Sequence, residues 1–277
     1  MKYILFCGCF IFCFAKANAQ QFKNNVGSPY ISLSAYSKTN TDAFGTYSNI
    51  AALGNAQKAA IGLYAERRYG LQELNNINAI VAIPLQAGAF AVTANRYGFE
   101  GFSETQLGLG YGRALSEKIS VGGKINYYTQ QIPSYGTAST LNIEAGMLLH
   151  LTPKLNAGIS TYNPTGGKFG ANKAEQLQSI YKFGLGYDVS TKVNIATEIV
   201  KTESEPISLI GAVHYQFEKK FFAKVGLSTL ASNFFVAAGI AVNNQFRLDV
   251  SIAHHQQLGL TPGVVLLYNF AKKESKK

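Results

Sequence analysis

Apolar and polar side chains alternate with a period of two from about Ala59 to Phe270, and this pattern limits the fold more than any other feature of the chain. Ile119, Val121, Ile125 and Tyr127 interleave with Ser120, Lys124 and Asn126. Leu141, Ile143, Ala145, Met147, Leu149 and Leu151 interleave with Asn142, Glu144 and His150. Tyr181, Phe183, Leu185, Tyr187 and Val189 oppose Lys182, Gly184, Gly186 and Asp188, and Phe246, Leu248, Val250 and Ile252 oppose Arg247, Asp249 and Ser251. Successive side chains of a strand point to opposite faces, so each segment has one apolar face and one face of polar residues or glycine.

The connections carry a second regularity. Short polar turns fall at Pro84–Gly88, Ser116–Lys118, Thr152–Lys154, Ser190–Lys192, Glu218–Lys220 and Asn243–Gln245. Longer connections alternate with them at Gly70–Asn75, Tyr97–Ser103, Gln130–Ser139, Asn163–Leu177, Lys201–Pro206, Thr229–Asn233 and His255–Pro262. Six short turns and seven longer loops join fourteen strands, an even number that returns both ends of the chain to the side of the short turns. The expected fold is all-β: a transmembrane antiparallel β-barrel of the bacterial outer membrane, spanning residues 59–270, with short periplasmic turns and longer external loops.

Composition separates this from a soluble sandwich or small barrel. Charged residues make up only 14% of the chain, against about 25% in a typical soluble domain. Tyrosine (16) and phenylalanine (18) are plentiful while tryptophan is absent, so Tyr and Phe must supply any aromatic girdle at a lipid boundary. Tyr64, Tyr69, Tyr97, Tyr111, Tyr127, Tyr181, Tyr187, Phe217, Phe221, Tyr268 and Phe270 fall near strand ends or apolar faces and are the expected members. The net charge of +10 could suggest nucleic acid, but the basic residues read as dispersed along strands and turns, and no nucleic-acid partner is expected.

The two termini lie outside the alternation. Met1-Lys2, an apolar run from Tyr3 to Ala15 and Ala17-Asn18-Ala19 form the pattern of a cleaved signal peptide over residues 1–19, so the mature chain is expected to start at Gln20 and to be exported to the cell outer membrane. All three cysteines (Cys7, Cys9 and Cys13) fall in that segment, which leaves no disulfide framework or thiolate site afterwards. Residues 271–277 form a basic periplasmic tail. Residues 20–58 lack sustained alternation. The stretch Thr41 to Asn55 opens on a capping pair and closes on Gly54-Asn55, which predicts one or two short helical turns. A barrel of fourteen strands has a lumen that its own side chains cannot fill, so this segment is expected to be a hatch.

In the hatch, Asp42-Ala43-Phe44 followed by Tyr47-Ser48-Asn49-Ile50-Ala51-Ala52-Leu53 resembles the "D-A … N-P-A-x-L" signature of FadL-type outer-membrane barrels, with Ile50 where the family has proline. The nearest branch is the PorV/PorQ-like proteins of Bacteroidetes. The resemblance implies fourteen strands and an N-terminal hatch. It also implies one of two roles: binding or passing small hydrophobic compounds, or serving the type IX secretion system as a partner barrel without transport. Under the first role Asp42, Phe44, Tyr47, Asn49 and Leu53 lie on the ligand path.

The polar strand faces hold Lys124, Glu144, Lys182, Asp188, Glu198, Lys224, Arg247 and Asp249, four bases and four acids expected to line the lumen. They can form a selective polar path, or an ionic network that holds hatch to wall, which is the bland and heavier expectation. His254-His255 has no acidic or cysteine partner at ligand spacing and reads as a solvated loop pair, so no metal or other cofactor is expected. His150 and His214 read as residues of the lumen rim. Ser251 and His254 stand in no recognisable nucleophile motif, and Gly108-Leu109-Gly110-Tyr111-Gly112 lacks the strand-then-helix setting of a nucleotide loop. No enzymatic activity is expected, and those glycines read as strand positions facing a crowded lumen.

Overall fold

The structure is a computed structural model and describes residues 32–170, 175–218, 220–229, 233–243 and 245–271. The signal peptide, the start at Gln20, the first part of the hatch and the tail from Lys272 lie outside the described residues. Fourteen antiparallel strands close into a barrel. In chain order the strands are β1 (Ala60–Arg67), β2 (Asn75–Leu85), β3 (Gly88–Phe99), β4 (Phe102–Ala114), β5 (Ile119–Ile132), β6 (Gly136–His150) and β7 (Leu155–Tyr162). After a long connection come β10 (Ile180–Asp188), β11 (Val193–Thr202), β12 (Ser208–Gln216), β13 (Phe221–Ser228), β14 (Asn233–Ala241), β15 (Phe246–His255) and β16 (Gly259–Asn269). That connection holds its own two-stranded hairpin, β8 (Lys168–Phe169) and β9 (Glu175–Gln176). Each barrel strand pairs with its neighbours in sequence, and β1 closes on β16 through Leu63 opposite Leu266 and Tyr64 opposite Val265.

Closure leaves no unpaired edge, which a strand in lipid requires. The parity of burial follows the sequence alternation: on β2 the exposed residues Ile77, Val81 and Ile83 alternate with buried Asn76, Asn78, Ile80 and Ala82. Ile125, Leu109, Leu141, Val225 and Val250 are exposed on the same outer surface. An exposed apolar band of this extent is costly in water and matched to the ~25 Å hydrocarbon band that outer-membrane barrels present.

Three expected loops turn out to be strand. β3 and β4 pair as far as Phe99 opposite Phe102, β5 and β6 as far as Ile132 opposite Gly136, and β15 and β16 as far as His255 opposite Gly259. Beyond the apolar band both faces meet water, so the alternation stops while the hydrogen-bond ladder continues. The reversals need left-handed backbone, which Gly136 (φ 95°) and Gly259 (φ 92°) adopt without a Cβ penalty.

The aromatic expectation also needs correcting. Tyr127, Tyr181, Tyr187, Phe217, Phe221, Tyr268 and Phe270 are exposed on the outside. Tyr64, however, is buried in the lumen with its hydroxyl on Glu66. Tyr97 lies inside with Arg68 over its ring. The exposed basic residues are less dispersed than the linear sequence suggests: Lys118, Lys154, Lys192 and Lys220 all sit at the end of the barrel that carries the short turns.

Candidate functional site: the hatch and the lumen wall

Among the described residues the hatch has three 3-10 turns, Leu33–Tyr36, Ala43–Tyr47 and Ile50–Asn55. The predicted cap is not where the chain places it. Asp42 precedes Ala43–Tyr47 but makes no capping hydrogen bond. Its carboxylate is taken by Arg247, 2.9 Å away, and by the Ser34 hydroxyl at 2.9 Å. A buried carboxylate gains more from a charged partner than from a backbone N–H. The cap falls instead on Asn49, whose Oδ1 accepts from Ala51 N at 3.0 Å and starts Ile50–Asn55.

The wall makes room for the hatch with glycine. A Cβ on Gly110 would stand 2.8 Å from the Ile50 side chain, one on Gly112 2.7 Å from Leu53, and one on Gly122 2.7 Å from the Ile50 carbonyl. Phe44 rests on Gly62 in the same way, and Gly184 and Gly186 leave space for Tyr36. The glycines of β4 therefore face a crowded lumen, as their sequence setting suggests.

Polar side chains then fasten the plug to the wall. Asn49 Nδ2 donates to the carbonyls of Met147 and Ile159, each at 3.0 Å. The Tyr47 hydroxyl bonds Ala79 O and Asn95 Oδ1. Glu198 accepts from the hydroxyls of Tyr36 and Ser48. Burial, reinforced by the Glu198 charge, raises the Tyr36 phenol well above its ordinary value and keeps it a donor. Asp188 accepts from Ser37 Oγ (2.6 Å), Thr39 Oγ1 (2.9 Å) and Lys38 N (2.9 Å).

All eight charged residues singled out from the polar strand faces point inward. Lys124 pairs with Glu144 at 2.7 Å, and Lys182 lies 3.9 Å from Glu198 while donating to Tyr47 O. Arg247 bridges Asp42 and Asp249 at 2.9 and 3.0 Å. Lys224 lies over the Phe222 ring. Most of these charges hold hatch to wall or pair within the wall, the arrangement that buried ions need. Burial alone would raise the Asp42 carboxyl, but Arg247 and then Lys224 outweigh it and hold the group below the ordinary carboxylate range.

Of the five hatch residues, Asp42, Tyr47 and Asn49 are therefore fasteners, while Phe44 and Leu53 belong to the apolar core. His150 bonds Asn156 at 2.7 Å and touches Asn55, and His214 stacks on Phe222. His254 and His255 are half-buried against Phe234 and Tyr69 instead of forming a solvated pair. No group of metal-ligating residues occurs among the described residues.

The lumen wall holds a row of amides and an apolar cluster that the linear sequence conceals. On β2 to β6 it carries Asn78, Asn95, Gln106, Asn126 and Asn142, all buried, and Asn95 Nδ2 and Gln106 Nε2 have no partner among the described residues. On β11 to β16 and β1 it carries Val200, Ile210, Phe235, Ala237, Ala253 and Val265, which form one cluster with Phe44, Tyr64 and, from β2, Ile80 and Ala82. Glu198, Lys224, Arg247 and Asp249 face inward from the same strands. At the turn end two clefts flank the hatch. One, of about 190 Å³, includes Leu33, Ala212, Phe222, Lys224 and Arg247, and the other, of about 330 Å³, includes Lys38, Ala43, Leu53, Lys58 and Asn269. Thr39, Thr41 and Asp42 line both, so this short segment is the partition between them.

No described protein family and no curated protein matches the sequence. Solved structures do match the fold. A FadL homologue from Pseudomonas aeruginosa superposes with a TM-score of 0.62 at 9% identity, over 83% of this chain and 94% of that one. A monoaromatic hydrocarbon channel, CymD, gives 0.60 at 10% identity over 84% and 94%. The toluene transporter TodX from Pseudomonas putida gives 0.59 at 10% identity over 90% and 99%. The chain thus has the fold of FadL-type outer-membrane barrels.

Proposed function

We propose that this chain is a FadL-type barrel of the outer membrane that binds or passes small hydrophobic compounds. The observation that carries the reading is the apolar cluster of the lumen, in which Val200, Ile210, Phe235, Ala237, Ala253 and Val265 continue into Phe44 of the hatch. An apolar surface inside a barrel that reaches the hatch gives an apolar solute a preferred track. The fold of CymD and TodX, whose names describe monoaromatic hydrocarbon and toluene transport, supports the same reading. The exported location rests on the signal-peptide pattern and the lipid-matched exterior.

The test is uptake of a radiolabelled monoaromatic compound by cells expressing the native chain or Ile210→Asn. Loss of most uptake, with equal amounts of heat-modifiable barrel in the membrane, is expected. Equal uptake by cells lacking the protein altogether would refute the transport role.

A second reading is an accessory barrel of the type IX secretion system, of the PorV/PorQ-like branch. It is supported by the hatch signature and by apolar side chains at the far loop tips. Leu71, Phe99, Tyr135, Ile207 and Leu258 are all exposed there, Tyr135 at 89%. Apolar tips beyond a lipid band suit a protein partner. Unchanged secretion of type IX cargo in a deletion strain would remove this reading.

A further inference from the structure

The short turns repeat a pattern that barrel closure does not require. Leu115 is followed three residues later by Lys118, Leu151 by Lys154, Val189 by Lys192 and Phe217 by Lys220. In each turn the apolar residue is exposed on the barrel, between 40% and 57%, and the lysine is exposed beside it. Three of the four turns cap the lysine N–H with a hydroxyl, and three close with the same backbone bond. Lys118 N donates to Ser116 Oγ, Lys154 N to Thr152 Oγ1 and Lys192 N to Ser190 Oγ, each at 3.2 Å. Turn closure comes from Leu115 N to Ile119 O at 2.8 Å, Leu151 N to Leu155 O at 3.0 Å and Phe217 N to Phe221 O at 2.8 Å. The lysines thus stand at the exits of the β4–β5, β6–β7, β10–β11 and β12–β13 turns. None of the four ammonium groups is in an ion pair among the described residues.

The remaining short turns, around Gln86-Ala87 and Asn243–Gln245, carry no cation, so the four turn lysines form an arc, and exposed Lys58 stands apart from it at the start of β1. The turns also hold two exposed acids, Glu117 and Glu218, against the four lysines, whereas at the opposite end exposed Arg67, Arg96, Lys168 and Lys201 are matched by exposed Glu73, Glu100, Glu175 and Glu203. An exposed apolar side chain with a cation one turn away is the arrangement of an interfacial anchor, the first in hydrocarbon and the second reaching the headgroups.

We propose that this arc binds anionic phospholipid headgroups of the leaflet that meets the turns, each lysine taking a headgroup phosphate while the neighbouring Leu, Val or Phe lies against the acyl chains. The proposal rests on the membrane reading above. A soluble acidic partner would be served by the cations alone, and the paired apolar residues favour lipid. A basic residue near an anionic lipid surface contributes roughly fivefold to partitioning.

The experiment uses the full chain, folded in a zwitterionic detergent and titrated with phosphatidylglycerol or phosphatidylcholine of identical acyl chains, with bound lipids counted by native mass spectrometry. The native protein is expected to retain phosphatidylglycerol in preference by on the order of tenfold, a preference removed by high salt. Replacing the four lysines with glutamine should abolish the preference, and replacing them with arginine should keep it. Equal retention of the two lipids by the native protein, or a preference that survives in the glutamine variant, overturns the proposal. So does lysine-dependent binding of anionic peptidoglycan fragments without lipid preference. A chain that yields no heat-modifiable barrel in detergent would instead count against the membrane reading itself.

Discussion

The Asp42 carboxylate and the Arg247 guanidinium lie 2.9 Å apart although 205 positions separate them in the chain, and the pair ties the hatch to β15. The other hatch bonds described above reach β2, β3, β6, β7, β10 and β11. Asp42 also stands in the partition between the two turn-end clefts, so its release would join them. Removing Asp42 leaves Arg247 with Asp249 alone, so the cost falls below the roughly 3–5 kcal/mol of a buried charge left with no partner. Asp42→Ala is nonetheless expected to raise the conductance of the protein in planar bilayers severalfold. Asp42→Ala combined with Arg247→Met should be no better folded than Asp42→Ala alone, because buried Asp249 then loses the guanidinium that Arg247 holds 3.0 Å from it. Conductance equal to the native value in Asp42→Ala would show that the partition does not move.

The same pair sets a pH expectation. The Asp42 carboxyl is held below its ordinary value, since Arg247 and Lys224 outweigh burial. A group depressed on folding contributes stability that is present above the unfolded value, near 3.9, and is lost as pH falls through the folded value. The latch should accordingly be indifferent between pH 8 and about 5, and fail only in stronger acid. Protease access to the hatch, followed against pH in the native chain and in Asp42→Asn, checks this. An opening transition near neutral pH in the native chain would show that another group controls the hatch.

Tyr36 and the two glycines beneath it give a packing prediction. Gly184 faces the Tyr36 ring and Gly186 its backbone, with no room for a methyl group at either. Gly186→Ala should be the worse of the pair, since it meets backbone as well as side chain, and overpacking of this kind costs about 1–3 kcal/mol. Adding Tyr36→Ala should partly restore Gly184→Ala but do little for Gly186→Ala. Urea unfolding midpoints in detergent measure the difference, and equal restoration of both would contradict the geometry.

The strands were legible because each carries its own instruction: Lys182, Gly184, Gly186 and Asp188 alternate with Tyr181, Phe183, Leu185 and Tyr187, and the chain needs no distant partner to say which face is which. Tyr64 escaped that logic, because Gly62 and Ala65 blur the alternation around it and its place depends on Phe44 resting on Gly62. The inward charges could be read from parity, but their partners could not, since Glu198 meets Tyr36 and Ser48 across more than a hundred residues. The amide row of the lumen was hidden for a different reason. It depends on which strands become neighbours around the ring, and Asn78, Asn95 and Gln106 form one row only once β2, β3 and β4 are in register.

Asn49 shows how far a hatch residue can serve structure alone, and it separates capping from clamping. Its Oδ1 caps Ile50–Asn55 through Ala51 N, while its Nδ2 holds the carbonyls of Met147 and Ile159. Asn49→Ala loses a cap, worth about 1 kcal/mol, and strands two part-buried carbonyls, so a total near 2–4 kcal/mol is expected. Asp is as good a cap as Asn in an isolated turn. Here Asn49→Asp keeps the acceptor for Ala51 but sets a carboxylate oxygen against two carbonyl oxygens 3.0 Å from the present nitrogen. It should therefore destabilise at least as much as alanine. A chain in which Asn49→Asp unfolds at the native urea concentration would assign Asn49 to capping only. Parallel loss in Asn49→Asp and Asn49→Ala would place its weight on the amide that clamps the hatch between β6 and β7.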